Sequence, residues 1–305
     1  MPDYSIGLDL GGTNLRAAAI STRGEVLASI SGRAELSSGR DGVIKDMVNA
    51  IVKLRDDTGS GLVGIGMGVP GFIIIEKGII VGSPNLPAFD GYALRDDMEK
   101  QLGTTVVLEN DANVAALGEK WMGVGKAVDD MVLLTLGTGI GGGIISNGRV
   151  LHGYVGMAGE LGHMTVVPNG NPCGCGNRGC LEKHASATAI SGMAKVIGLG
   201  ADLTSEQVYK LAVAGDEKAK RIFEAMGQAL GMALATLVNI FNFPLYVLSG
   251  GPLPAWDYFA PAMIAEAKWR SFTFRNTETK VEKAILGGEA GLYGAAYLPI
   301  LEKKS

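Results

Sequence analysis

The sequence predicts an α/β protein of two lobes built on one repeated plan. Three observations carry that expectation. A hairpin of apolar strands around Gly11-Gly12-Thr13-Asn14 recurs around Gly137-Thr138-Gly139; buried strand patterns alternate with helical ones; and the 46 glycines cluster at strand ends instead of forming a linker or a repeat. A chain of 305 residues, 47% hydrophobic and 19% charged, is long enough for two cores. The formal charge of −4 offers no basic field for a polyanion, so nucleic acid is not expected as a partner. The start, Met1 to Ile6, lacks the pattern of a secretory signal, and the apolar run Ala229 to Phe241, interrupted by Asn239, is too short to span a bilayer. A cytoplasmic protein with reduced cysteines and no membrane partner is expected.

In chain order, Ser5 to Leu10 alternates as a strand, Gly11 to Asn14 turns, and Leu15 to Ile20 returns before a second turn at Arg23-Gly24. A helical pattern covers Gly42 to Arg55, and buried strands are expected at Val63 to Val69 and Thr105 to Glu109. Met131 to Leu136 leads into the second glycine hairpin, which returns through Ile144-Ile145 to a turn at Asn147-Gly148. Helical patterns follow at Glu217 to Phe241 and Asp257 to Trp269, with a strand between them, Leu245 to Ser249, ending in Gly250-Gly251-Pro252. Each hairpin presents backbone N–H groups and a threonine hydroxyl (Thr13, Thr138), a geometry suited to phosphate oxygens. The spacings Gly137-x-Gly139-x-x-Gly142 and Gly66-x-Gly68-x-x-Gly71 also fit the dinucleotide fingerprint. That fingerprint needs a helix directly after the glycines, and neither match leads into one. A Walker-type loop is absent from the sequence.

All three cysteines, Cys173, Cys175 and Cys180, lie within eighteen residues of chain that begin with His163. One imidazole and three thiols at this spacing suit a closed, structural zinc site with no open position for water. The loop between them, rich in Gly, Pro and Asn, has little apolar surface to hold it in place. Disulfides fit worse, because the count is odd and Cys173 and Cys175 are too close to pair comfortably. His152 and His184 have no motif partner in the sequence and read as ordinary surface or packing residues.

Asp9-Leu-Gly-Gly-Thr-Asn14, Asn110-Asp111, Gly137-Thr-Gly139, Glu160-Leu-Gly-His163 and Cys173-Gly-Cys-Gly-Asn-Arg-Gly-Cys-Leu-Glu182 together resemble the ROK family of repressors, open reading frames and sugar kinases. The resemblance spans nearly the whole chain. It implies the actin/hexokinase/ribonuclease H-like fold, with duplicated α/β domains and a cleft between them. The expected division is a smaller domain at 1–112, completed by a C-terminal helix at about 290–305, and a larger domain at 113–289 carrying the zinc loop. The resemblance further implies that Asp111 is the catalytic base. Asp9 would help hold Mg²⁺; Gly11, Gly12, Thr13 and Asn14 with Gly137, Thr138 and Gly139 would hold the phosphates of ATP; and Gly250 and Gly251 would meet its adenosine end. The sugar would be bound by Asn85, Asn110, Asp111, Glu160, His163 and Glu182, groups whose paired hydrogen bonds read the configuration of adjacent hydroxyls. His163 is expected to serve twice, one ring nitrogen on zinc and the other toward the sugar. Gly12-Thr-Asn-Leu-Arg16, Glu160 and Glu182 look like the glucokinase branch. The alternatives are a kinase for mannose, fructose, allose, N-acetylglucosamine or N-acetylmannosamine, or a non-catalytic sugar sensor. Regulatory members carry a DNA-binding segment ahead of the first hairpin, which here begins at Ser5, so repression is not expected. A homodimer is implied by the same resemblance.

Overall fold

The computed structural model describes residues 2–11, 14–33, 39–83 and 85–303. The chain runs β1 (Tyr4–Leu10), β2 (Asn14–Ser21), β3 (Val26–Arg33), α1 (Gly39–Thr58), β4 (Leu62–Val69), β5 (Phe72–Ile74), β6 (Ile79–Val81), α2 (Leu94–Leu102), β7 (Val106–Asn110) and α3 (Asp111–Trp121). It continues as β8 (Met131–Leu136), β9 (Ile140–Ser146), β10 (Arg149–Val150), α4 (Glu182–Ala185), α5 (Ala187–Val196), α6 (Ser205–Val213) and α7 (Glu217–Phe241). It ends as β11 (Leu245–Gly250), α8 (Trp256–Arg270), α9 (Phe272–Asn276), β12 (Lys280–Lys283) and α10 (Ala290–Lys303). The expected elements are present, Met131–Leu136 and Glu217–Phe241 with unchanged bounds and the others with ends moved by at most four residues.

Two five-stranded sheets have the orders β3-β2-β1-β4-β7 and β10-β9-β8-β11-β12. Numbered within its own sheet, each reads 3-2-1-4-5, which is the duplication anticipated from the two glycine hairpins. In the first sheet β1–β2 and β2–β3 are antiparallel, while β1–β4 and β4–β7 are parallel. In the second, β9–β10 is antiparallel, and β8–β11 and β11–β12 are parallel. Asn147 and Gly148 both take positive φ (51° and 74°), the backbone that a tight β9–β10 hairpin needs.

The chain forms two compact units, Met1–Asp129 with Gly143–Gly159 and Ile285–Ser305, and Asp130–Gly142 with Glu160–Ala284. The first thus continues past 112, because α3 packs on α10. Gly294 is required there: a Cβ on it would stand 1.6 Å from the carbonyl oxygen of Val114. The wholly buried Glu119, near the end of α3, accepts the backbone N–H groups of Ile285 (3.1 Å) and Leu286 (2.8 Å), fixing the return of the chain into this unit.

Strand β1 shows how period-two alternation places the chemistry. Tyr4, Ile6, Leu8 and Leu10 enter the core formed with α1, alongside Val43, Met47 and Ile51. Ser5, Gly7 and Asp9 face the other way. Ser5 donates to the carbonyl of Ala296 on α10, and a side chain at Gly7 would strike the α10 backbone. In the second unit, α7 is capped by Asp216, whose carboxylate accepts from Lys218 N (2.8 Å) and Ala219 N (3.0 Å). The apolar run expected to be too short for a bilayer is the end of this 25-residue helix. By length and composition α7 could cross a membrane, but 67% of its most apolar window is buried inside the protein, as in the core helix of a globular domain.

Candidate active site

In the first unit, the apolar run Val106-Val107-Leu108 makes β7, and the chain turns directly into α3. The helix begins at Asp111, and its cap is Asn110. Asn110 Oδ1 accepts from Ala112 N (2.9 Å) and Asn113 N (3.3 Å), while Nδ2 donates to the carbonyl of Gly71 (3.2 Å). Asp111 is therefore relieved of the capping role; its Oδ1 accepts the adjacent Ala112 N–H (2.9 Å), and its own backbone and the Asn110 side chain also hydrogen-bond the carboxylate. Asp111 keeps surface open to solvent, yet protein crowds it on most sides. That desolvation pushes its carboxyl from 3.8 to about 6, with the backbone bond to Ala112 opposing the rise and the charge of Asp9 adding to it. Asp9, opposite Arg16 in the β1–β2 ladder, is paired with that guanidinium at 2.5 Å. Burial raises the Asp9 carboxyl and Arg16 pulls it back. Gly11 N donates to Asn14 O (2.8 Å), closing the first hairpin. Gly12 and Thr13 lie outside the described residues. Asn85 stands exposed in the turn after β6.

In the second unit, Gly137 N donates to Gly139 O (2.9 Å), and the carbonyls of Gly137 and Thr138 are held by Ala187 N (2.8 Å) and Thr188 Oγ1 (2.7 Å). The second hairpin is thus tied to α5. Glu182 reaches the same hairpin: its Oε2 accepts from Ile140 N (3.2 Å), and its Oε1 pairs with Lys183 Nζ (3.2 Å). Glu160 Oε2 lies 3.9 Å from His163 Nε2. Burial raises the Glu160 carboxyl, His163 lowers it, and the charge of Glu182 raises it further. Glu160, His163 and Glu182 are therefore near one another in the second unit. Gly250 and Gly251 differ in role. At Gly250 (φ 110°) a Cβ would sit 1.9 Å from the carbonyl oxygen of Leu136, so β8–β11 pairing requires that glycine, whereas Gly251 has open space around it.

His163, Cys173, Cys175 and Cys180 bring one ligand atom each to within 4.8 Å of one another. Cys173 Sγ lies 3.6 Å from His163 Nδ1, and Cys175 Sγ lies 3.7 Å from Cys180 Sγ. Zinc bonds of about 2.3 Å to sulfur and about 2.0–2.1 Å to nitrogen make tetrahedral edges of roughly 3.5–3.8 Å. The donor set and its spacing fit zinc. Nδ1 is the nitrogen on the thiol side, which leaves Nε2 toward Glu160.

His152 departs from the sequence reading, whereas His184 keeps to it as a packing residue. His152, read as a surface or packing residue, places Nε2 2.5 Å from Oε2 of the buried Glu109, the neighbour of Asn110. His184 lies under the cysteine loop, against Gly170, with its Nε2 buried and without a hydrogen-bond partner among the described residues.

The profile of the ROK family matches residues 5–301. The chain belongs to the ROK family. It is 37% identical to a glucokinase of Thermotoga maritima over 95% of each chain. Among solved structures, a ROK hexokinase from Thermus thermophilus superposes with a TM-score of 0.88 at 34% identity, covering 99% of both chains. A ROK glucokinase from Streptomyces griseus, solved with glucose and AMPPNP, superposes with a TM-score of 0.79 at 30% identity, covering 97% of this chain and 98% of that one. The fold is accordingly the actin/hexokinase/ribonuclease H-like fold of ROK sugar kinases.

Proposed function

We propose that this chain is an ATP- and Mg²⁺-dependent glucokinase, transferring the γ-phosphoryl group of ATP to the 6-hydroxyl of glucose and releasing ADP. The observation that carries this reading is Asp111, a carboxylate raised to about 6 and freed from capping at the β7–α3 junction, in a ROK chain that aligns over 95% of its length with a glucokinase. A carboxyl poised near neutrality is ionised at cellular pH and still basic enough to share the proton of a hydroxyl. Asp111 takes that proton as the sugar oxygen bonds to phosphorus and the bond to the ADP oxygen breaks.

The hydroxyls of the sugar are read by Asn85, Asn110, Glu160, His163 and Glu182. The two glycine hairpins, Gly11 to Asn14 and Gly137 to Gly139, hold phosphate oxygens, and Gly250 and Gly251 lie at the adenosine end. Asp9 suits Mg²⁺, a hard cation that takes one or two carboxylates and fills its remaining positions with water and phosphate oxygens; bound there, it supplies neutralisation of phosphate charge. Zinc at His163, Cys173, Cys175 and Cys180 is structural: all four positions are filled by protein, and it holds in place a loop flanked by Glu160 and Glu182. A homodimer and a cytoplasmic location belong to the same proposal, and light scattering on the purified chain checks the first.

The test is ADP release from the full chain with ATP, Mg²⁺ and each of glucose, mannose, fructose, allose, N-acetylglucosamine and N-acetylmannosamine. Glucose is expected to give the highest kcat/KM, and Asp111→Asn to lower kcat by about 10³-fold. Preference for an N-acetylated sugar overturns the glucose assignment, and sugar binding without ADP release makes the chain a sensor.

A further inference from the structure

The buried acid beside the proposed base has no role in the mechanism above, and its surroundings indicate one. Glu109 is 2% exposed, and its two oxygens take part in three hydrogen bonds with two segments of the first unit. Oε1 accepts the backbone N–H of Asn110 (2.8 Å) and Nδ2 of Asn113 (2.9 Å). Oε2 meets His152 Nε2 at 2.5 Å. Every bond to Oε1 therefore lands on the turn that presents Asp111: the residue before the base, and a residue in the first turn of its helix. The bond to Oε2 comes from a distant part of the sequence, the segment after β10, where the carbonyl of His152 also accepts Ala158 N–H (3.1 Å).

A buried carboxylate holds its position only when its lone pairs are satisfied, and loss of one donor leaves it free to turn toward water or another partner. Were Glu109 to turn, Asn110 N and Asn113 Nδ2 would lose their acceptor, and the cap of α3 would loosen with them. The hydrogen bond to Glu109 raises the pKa of His152 against the effect of its burial, so the pair is charge-assisted over a wider pH range than an isolated imidazole would allow.

We propose that His152 is a positioning residue for phosphoryl transfer, holding Glu109 so that Glu109 fixes the Asn110–Asp111 turn and aims the Asp111 carboxylate. The role in turnover rests on the kinase reading given above; the tether itself does not. His152 acts through Glu109 and touches neither sugar nor nucleotide.

The experiment uses the full chain with His152→Phe, which keeps a ring and removes the donor, and His152→Gln, whose amide nitrogen can occupy the place of Nε2. Two readouts are taken on each: kcat at saturating sugar and ATP, and amide hydrogen exchange of the peptide spanning residues 106–117. H152F is expected to lower kcat by about 10²-fold, the scale of a 1 Å misplacement of a reacting group, with a smaller change in sugar Kd. It is also expected to speed exchange at Asn110 to Asn113. H152Q is expected to restore most of both losses. In the double variant with Glu109→Gln, the loss of kcat should not exceed that of the worse single variant, because both substitutions break one contact.

Unchanged exchange in H152F overturns the tether whatever the turnover, and so does a kcat loss that H152Q leaves uncorrected. Faster exchange in H152F, corrected by H152Q, in a protein that phosphorylates no sugar upholds the tether and overturns the kinase reading instead. If H152F is too unstable to purify, the same two readouts on H152Q and Glu109→Gln decide: both must match wild type in H152Q and depart from it in Glu109→Gln.

Discussion

The raised carboxyl of Asp111 makes the pH dependence of turnover a direct test of its role. The base works ionised, and its pKa lies above the ordinary value, so activity is full above about 6 and is lost as pH falls through that value. With a pKa of about 6, roughly nine tenths of the free protein is competent at pH 7 and roughly one tenth at pH 5, a loss of about tenfold in kcat/KM. Had the carboxyl stayed at 3.8, about nine tenths would remain ionised at pH 5 and the profile would be nearly flat. The parameter to measure is kcat/KM for glucose between pH 5 and 8, because it reports ionisation in the unliganded protein. Zinc content must be followed by mass spectrometry at each pH, so that loss of the loop is not mistaken for protonation of the base. Glu160 is also raised, by burial first and by Glu182 next, and gives a limb of the same sign. Glu160→Gln separates the two: the limb should persist in that variant at a lower absolute rate. A profile flat to pH 5, or a limb that disappears in Glu160→Gln, refutes the assignment of Asp111 as the base with the raised carboxyl.

Cys180→Ser, at a wholly buried ligand position, should abolish stoichiometric zinc and weaken sugar affinity by about 10–100-fold with a smaller effect on ATP, read by calorimetry. Gly139→Ala places a Cβ 2.4 Å from Glu182 Oε2, so the carboxylate must leave Ile140 N; sugar kcat/KM should fall by about tenfold or more with circular dichroism unchanged. Gly294→Ala drives a methyl into the carbonyl of Val114, an overpacking that should cost about 3 kcal/mol and lower the thermal midpoint by several degrees, checked by a melting scan.

Most of the fold is legible in local pattern. The strands around both hairpins, the helix from Glu217 to Phe241 and the Asn147-Gly148 turn follow from alternation, helical period and turn chemistry, and all of them formed. The extent of the first unit is not legible, because it depends on α3 meeting α10 and on Glu119 catching Ile285 and Leu286, contacts of 166 and 167 residues' separation that no local signal encodes. The site divides in the same way. The zinc ligands lie close in sequence, so their spacing is nearly their geometry. The cap on α3 could have gone to Asp111 or to Asn110, both favoured residues, and only the backbone at β7's end assigns it to Asn110.

His152 is the instructive omission. Nothing near it in sequence resembles a catalytic motif, and a lone histidine before a glycine is an ordinary loop residue. Its partner Glu109 is equally quiet, the last residue of a strand pattern before the motif begins. A charged residue in that place was nonetheless a signal, since an acid is almost never wholly buried without a donor. With Asn110 and Asn113 both placed on Oε1, the second oxygen still required a partner from elsewhere in the chain, and His152 supplies it. An unexplained carboxylate beside a catalytic pair therefore marks a place where the sequence owes a distant donor, and the function of that donor is inherited from the residues it steadies.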